Sequence, residues 1–340
     1  MKFFLKATVV LVAVAVAVLC AGQVVEPRQL PGLVLINYVP FPAYLMPVLV
    51  AVLASCWLGW AWRAVAGLCL AVTLTVVMGW AWGHPDEGHG RVRFMTYNVK
   101  GYLASHRPGG FVELAQEVTE HQPDIIVMQD ALQLSNGEDG REMDALSQVI
   151  RQRREVYQFG QYVVASRWPL QRCQVGGIPI AGRSHGFVAC QVQVHGVTLN
   201  VVTVHFLSPR EGLNAARKEG FDGMADWQQN MLARLEQTGL LAEHLRLMSG
   251  PTVLGGDLNA PEASAVVQTL LNTGLRDAFS SAGWGYGYTH GHHLLRGLSF
   301  LRIDHILVSK DIGVSNAFVG GREASQHRPV IADLLLHRQH

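Results

Sequence analysis

Charge is what this 340-residue chain has least of: Asp, Glu, Lys and Arg make up 16% of it, against 49% hydrophobic residues. The shortage is local. Of the 27 basic and 26 acidic residues, only Lys2, Lys6, Arg28 and Arg63 and only Glu26, Asp86 and Glu87 fall in residues 1–90, which leaves 23 of each sign for 91–340. A balanced C-terminal part argues against a protein that grips long nucleic acid, because counterion release drives that binding and demands a basic excess. Local recognition of a phosphoester stays compatible with it. No internal repeat occurs, and no low-complexity tract outside the apolar segments. The middle of each apolar window lacks ionisable residues, which argues against a transport pathway. Cysteine is scarce: Cys20, Cys56 and Cys69 lie in the apolar segments, while Cys173 and Cys190 fall on two predicted strands. That pair forms either a disulfide in an oxidising compartment or two buried thiols.

The oily excess sits at the N-terminus and predicts three transmembrane helices, at residues 5–22, 43–62 and 64–82, within a membrane anchor 1–82. The first apolar run, Ala7 to Gly22, follows Lys2 and Lys6 and has the form of a spanning helix or a signal-peptide core. A retained anchor is the preferred reading, because Leu19 before Cys20 is too bulky for lipoprotein cleavage. Trp57, Trp60 and Trp62 cluster at one end of the second and third windows, and Trp80 and Trp82 at the other, as interfacial indoles do. Lys2, Lys6 and Arg63 favour the cytoplasmic side for the N-terminus and for the link between spans two and three. Three crossings then place residue 83 onward outside the cytoplasm, on a multi-pass protein of the inner (plasma) membrane. Residues 83–90 (GHPDEGHG) read as a polar linker.

Residues 91–340 mix strands and helices without a strict βαβ rhythm. Strands are predicted at Arg91 to Asn98, Asp124 to Met128, around Gln161 to Ala165 and at Leu170 to Val175. Phe187 to Val194 and Val197 to His205 form a hairpin turning at His195-Gly196. Further strands are predicted at Thr252 to Gly256, Arg302 to Val308, Gly313 to Val319 and Pro329 to Leu336. Helices are predicted at Phe111 to His121, Asp226 to Met248 with a kink near Gly239, and Pro261 to Leu271. This pattern favours two packed sheets with helices outside over a doubly wound sheet.

Polar residues suited to phosphate chemistry recur at the ends of apolar strands: Asn98, Gln129-Asp130, His205, Asp257 with Asn259, Asp304, and His327 before the last strand. Singly, each reads as a turn former or a surface group. Together the segments TYNV, PDIIVMQ, GGDLNAP, RIDHILVS and HRPV resemble the endonuclease/exonuclease/phosphatase superfamily, and more closely its bacterial branch with N-terminal membrane helices. The resemblance covers about residues 91–337. It implies an α/β (α+β) fold, a four-layer α/β sandwich of two packed mixed sheets with flanking helices. It also implies phosphoester hydrolysis aided by magnesium, with manganese as an alternative. Carried over position by position, Asp130 is the metal ligand. Asp257 orients or deprotonates water, and Asn259 and Asn98 hold phosphate or water. His205 donates to a phosphate oxygen or protonates the leaving group. His327 contacts the scissile phosphate, with Asp304 fixing its tautomer. The implied partners are a phosphoester substrate (nucleic acid, phospholipid headgroup or small phosphodiester) and membrane lipid; no protein partner is implied.

Two positions depart from the family pattern. Asp130 stands where glutamate is usual, and Gln326 where aspartate precedes the histidine, so the metal site is shorter by a methylene and poorer by a charge. A non-catalytic, membrane-tethered domain that binds a phosphorylated ligand is the competing expectation. Arg183 reads as an extra phosphate contact or a plain surface arginine. His290, His292 and His293 read as a solvated glycine-rich loop near the site mouth rather than a zinc set. Trp284, Tyr286 and Tyr288 stack on a base, dip toward lipid headgroups, or pack on a sheet edge.

Overall fold

The computed structural model describes residues 1–24, 28, 30–135, 137, 142–180, 183–295 and 297–336. Two six-stranded sheets lie face to face. The first contains β1 (Arg91–Asn98), β2 (Ile125–Gln129), β3 (Glu155–Phe159), β4 (Tyr162–Ser166), β11 (Ile312–Val319) and β12 (Val330–Leu336). Its order is β11-β12-β1-β2-β4-β3, with only β1 and β2 parallel. The second contains β5 (Leu170–Ile180), β6 (Arg183–Val194), β7 (Val197–His205), β8 (Thr252–Asp257), β9 (Leu275–Asp277) and β10 (Asp304–Ser309), in the order β9-β10-β8-β7-β6-β5. Here β7 and β8 are the parallel pair.

Strand alternation builds the layers. In β1, Val92 and Phe94 join the core between the sheets, whereas Met95 and Tyr97 point outward. Those two meet Leu114 and Val118 of helix α4 (Gly110–His121) and Leu146 and Ile150 of α5 (Ala145–Arg151). On the second sheet, Val202, Leu254 and Leu307 pack on α7 (Met224–Leu247) and α8 (Ala265–Leu271). Period-two side chains thus give each sheet one face for its partner and one for helices, the four-layer sandwich expected. The interruption expected near Gly239 is absent: helix α7 runs unbroken for 24 residues, with Leu241 and Leu245 packed against the sheet. Cys173 and Cys190 form a disulfide between β5 and β6.

The N-terminal segments differ in detail from the expected spans. Helix α1 (Lys2–Val24) is the first. The second window narrows to α2 (Leu45–Ser55), and the pair Pro31–Tyr38 and Phe41–Ser55 is bent by 104°. Pro40 and Pro42 lack the N–H groups a continuous helix needs there. The third helix begins four residues earlier than expected: α3 (Trp60–Val72) continues as a π-turn to Val77. Arg63, expected in the link, therefore lies in the first turn of α3 and donates back to the Cys56 carbonyl at 2.9 Å. Among the described residues, two helices are long and apolar enough to cross a membrane, or three if the bent pair is one span. The Lys6 ammonium lies over the Trp62 ring, 5.6 Å from its centroid, so the positive side chains of α1 and α3 gather at one end of the bundle.

Residues 83–90 do not hang free. Gly83 and His84 donate to the carbonyls of Gly283 and Ser281, and Asp86 pairs with Arg276 and accepts from the Val314 N–H.

Candidate active site

The two parallel strand pairs deliver their C-terminal ends to one edge of the sandwich. Asn98 stands beside Gln129 across β1 and β2, with Asp130 next in the chain. In the other sheet, His205 is the register partner of Asp257, and Asp257 of Asp304, on three adjoining strands. Gln129, fully buried, donates to Thr96 at 3.1 Å and Thr203 at 2.9 Å, tying the sheets together beneath the site. A Cβ on Gly255 would stand 2.7 Å from both Phe94 and Val127 of the opposite sheet. Glycine there permits the close approach that brings both strand edges to one centre.

Asp257 is that centre. Its carboxylate accepts from Asn98 Nδ2 and from the Asn259 backbone N–H, both at 2.9 Å. His205 Nε2 lies 3.4 Å from it and His327 Nε2 3.7 Å. Burial opposes ionisation, but His327, His205 and Lys100 outweigh it and hold the Asp257 carboxyl below the usual range. His327 presents Nδ1 to both Asp304 oxygens at 2.9 and 3.1 Å, which fixes that nitrogen as the donor. Burial works against the imidazolium, yet Asp304 and Asp257 raise its pKa above that of a free imidazole.

His205 also reaches outward: Nδ1 stands 2.7 Å from Gln161 Oε1 and 3.4 Å from Asp130. Asp130, at the open side, pairs with Lys100 at 2.6 Å. Desolvation opposes the charge, but His205 and Lys100 hold this carboxyl far below its ordinary value. Lys100, Asp130 and Asn259 all adopt positive φ, of 46°, 53° and 51°. For lysine and aspartate this left-handed backbone costs energy and has to be enforced by its surroundings. All seven expected residues are thus joined in one contact network. Asn259 contributes its backbone N–H, while its side-chain NH2 donates to the Phe206 carbonyl at 2.9 Å.

Three contributors escaped sequence reasoning. Lys100, two positions after Asn98, carried no signal beyond its charge. Gln161 precedes a strand and looked like any polar residue. His290, assigned to a solvated loop, instead forms an isolated bridge with His327, the rings 4.8 Å apart. Its Nδ1 is buried without a hydrogen-bond partner. Burial and the neighbouring His327 and His293 push the His290 pKa down to about 2, and burial and His292 push that of His293 to about 4. Nearby Asp257 works the other way on His290 and Lys100 the same way. The unfolded chain takes a proton near pH 6.5 and the folded chain resists, so this group removes stability as pH falls below 6.5. We expect His290→Gln to lose less melting temperature than the parent between pH 6.5 and 4, as measured by thermal unfolding in detergent.

Two buried arginines support the site from behind. Arg302 donates to Asp277 at 2.8 and 2.9 Å and pairs with Glu262, while His305 meets Asp277 at 2.8 Å and the Ala260 carbonyl at 2.9 Å. Residues 302 and 305 flank Asp304, so the network fixes the start of β10. Arg234 of α7, 1% exposed, donates to the Asn259 carbonyl at 2.7 Å and to the Tyr38 hydroxyl at 2.5 Å. It connects the segment between α1 and α2 to the Asn259 turn. Trp227, about two turns earlier on the same face of α7, donates to the Pro31 carbonyl at 2.7 Å. The side chain of Arg183 lies outside the described residues.

The model of the Endonuclease/Exonuclease/phosphatase family matches residues 95–327. The chain belongs to that family. Members with solved structures share its fold at low identity. A Beutenbergia cavernae endonuclease/exonuclease/phosphatase is 20% identical with a TM-score of 0.55, over 73% of this chain and 72% of that one. Truncated Caenorhabditis elegans TDP2 is 18% identical, with a TM-score of 0.54 over 72% of this chain and 97% of that one. A mannosyl-6-phosphatase of Bacteroides thetaiotaomicron is 16% identical, with a TM-score of 0.54 over 72% and 100%. No curated protein matches the sequence. The endonuclease/exonuclease/phosphatase match begins at Met95 and ends at His327, and so encloses every one of the seven site residues.

Proposed function

We propose that the protein is a membrane-anchored, metal-dependent phosphoester hydrolase of the phosphodiesterase, nuclease or phosphatase type, acting outside the cytoplasm. One observation carries the reading: a buried ionised Asp257 sits within reach of Asn98, His205 and His327, with Asp304 behind His327. That set combines a group that orients water with imidazoles that meet a phosphoryl oxygen or a leaving group.

Magnesium, or manganese in its place, fits the donor chemistry. Asp130 offers hard oxygen at the open side, and carboxylate oxygens of Asp257 and Asp304 lie within 4.8 Å of one another. A bound ion supplies Lewis-acid polarisation of a phosphate oxygen and offsets charge on the departing one. The side chains do the rest. A carboxylate held below its usual pKa is a weak base, so Asp257 mainly aims the attacking water. His327 keeps its proton and stabilises negative charge on the phosphoryl group. His205, between Asp130 and Asp257, is placed to hand a proton to the leaving oxygen.

The disulfide supports an oxidising compartment for the domain. The shared end of Lys6 and Arg63 supports a cytoplasmic face opposite it. The Lys100–Asp130 contact and neutral Gln326 favour the second reading, a tethered domain that only binds a phosphorylated ligand. Hydrolysis of bis(p-nitrophenyl) phosphate by the full chain in detergent separates the two. We expect turnover that chelation abolishes and magnesium or manganese restores; binding without turnover at any metal concentration would establish the second reading.

A further inference from the structure

We propose that the site acts on a phosphoester carried by a membrane lipid, received over the exposed side chains of Leu294, Leu295 and Leu298. The inference rests on the anchored-hydrolase reading above and names its substrate class.

The apolar bundle does not end beside the catalytic centre; it runs into it. Phe41, Tyr44, Leu45, Leu74 and Met78 share one cluster with Tyr286, Tyr288, Phe300, Leu301 and Ile303. Leu74 belongs to the stretch Trp60–Val77 that is long and apolar enough to span a membrane. The Tyr288 hydroxyl donates to the Met78 carbonyl at 3.0 Å, and Trp80 and Trp82 lie against Trp284 at ring distances of 5.8 and 5.2 Å. From this layer to the chemistry is a single step in two places. Ile303 is followed by Asp304, and Leu301 bridges to His290, which bridges to His327. The aromatic WGYGY segment is thus committed to the anchor rather than to a nucleobase.

The described residues between His290 and Phe300 are pinned at several points. Phe300 donates to the His290 carbonyl at 2.9 Å, Leu294 to Gly291 at 2.8 Å, and Arg322 to the Gly297 carbonyl at 2.6 Å. Among them Leu294, Leu295 and Leu298 are 64%, 47% and 48% exposed. Three bare leucines within five positions present apolar side chains that water disfavours and a hydrocarbon interface accommodates. Across the site the pattern repeats: Tyr102 and Leu103 follow Lys100 and Leu132 follows Asp130, all exposed. A cleft of about 380 Å³ joins the two sides, lined by Lys100, Leu103, Arg107, His292, His293 and Arg322. Its walls carry Lys100, Arg107 and Arg322, paired with Asp130, Glu113 and Glu323, and a phosphate head beneath acyl chains can take the place of those carboxylates as their partner. A polynucleotide would expose charge and bases to the leucines instead. In the reaction, water oxygen bonds to phosphorus, one P–O ester bond breaks, and the departing oxygen leaves protonated as an alcohol.

The test uses the full chain reconstituted in vesicles of phosphatidylethanolamine and phosphatidylglycerol, with phosphorus NMR following loss of the lipid diester. Bis(p-nitrophenyl) phosphate and a single-stranded oligonucleotide serve as soluble probes. We expect lipid turnover with magnesium. In a variant carrying Leu294→Gln, Leu295→Gln and Leu298→Gln, we expect lipid turnover to fall about tenfold more than turnover of the small diester, since apolar transfer of these side chains into the lipid is lost. Cleavage of the small diester with intact lipid would overturn the lipid assignment and leave the hydrolase reading standing. Faster cleavage of the oligonucleotide than of lipid would overturn it in favour of nucleic acid, and equal losses on both substrates in the variant would remove the leucines from lipid reception. Absence of turnover on every probe would overturn both.

Discussion

Alanine in place of His327 is expected to lower metal-dependent hydrolysis of bis(p-nitrophenyl) phosphate by about three orders of magnitude, with Asp257→Ala falling similarly. Each change removes a group that the other polarises. His327 Nε2 faces Asp257 at 3.7 Å, and both are almost wholly buried, so water cannot take over their charge. The double variant should fall little below either single one, because the two act as a unit. Asp304→Asn is the subtler change. The Asp304 carboxylate helps lift the His327 pKa, so without it the imidazolium loses its proton at lower pH. The alkaline limb of the activity profile should therefore move to lower pH, while the folded state persists. Turnover unaffected in both His327→Ala and Asp257→Ala would remove these residues from the chemistry.

The largest stability loss is expected from Asp277→Ala. Arg302 is 6% exposed and directs one guanidinium nitrogen at both Asp277 oxygens, while His305 uses the same carboxylate. Burial works against the ionised Asp277, but Arg302 and His305 hold it in that state. Truncation leaves a cation in the interior with only Glu262 to answer it. Breaking such a pair from one side costs about 3–5 kcal/mol, which for a domain of this size lowers Tm by roughly 6–20 °C. Thermal unfolding in detergent measures it. Replacing both members, Asp277→Leu with Arg302→Met, should cost less than the single change, because no stranded charge remains. A single variant as stable as the parent would show that solvent reaches Arg302.

These residues also mark how far the sequence could be read. The strands ending at Asn98, His205 and Asp257 were legible because apolar alternation and a polar terminus are both local signals. Their convergence was legible only through the resemblance, since register between β7, β8 and β10 depends on pairings separated by some fifty residues in the chain. Lys100 and His290 were not legible. One is placed by a positive φ after β1, and the other by a bridge to His327, and neither is written in nearby residues. Strands β3 and β9 went unseen because they are an exposed edge and a three-residue piece. The second apolar window extends in the sequence to Trp62 because composition does not register the break between Ser55 and Trp60 that separates α2 from α3.

Arg234 and Trp227 give the molecule a property that neither half has alone. Both are buried, and each donates to a residue N-terminal to α2: Tyr38 for one, Pro31 for the other. A protease nicking residues 83–90 would leave the fragments clasped, and pulling them apart would bare an indole and a lone guanidinium beside the Asn259 turn. For the anchored hydrolase we propose, this clasp leaves no shed, freely diffusing form, and confines its reach to the patch of bilayer around it.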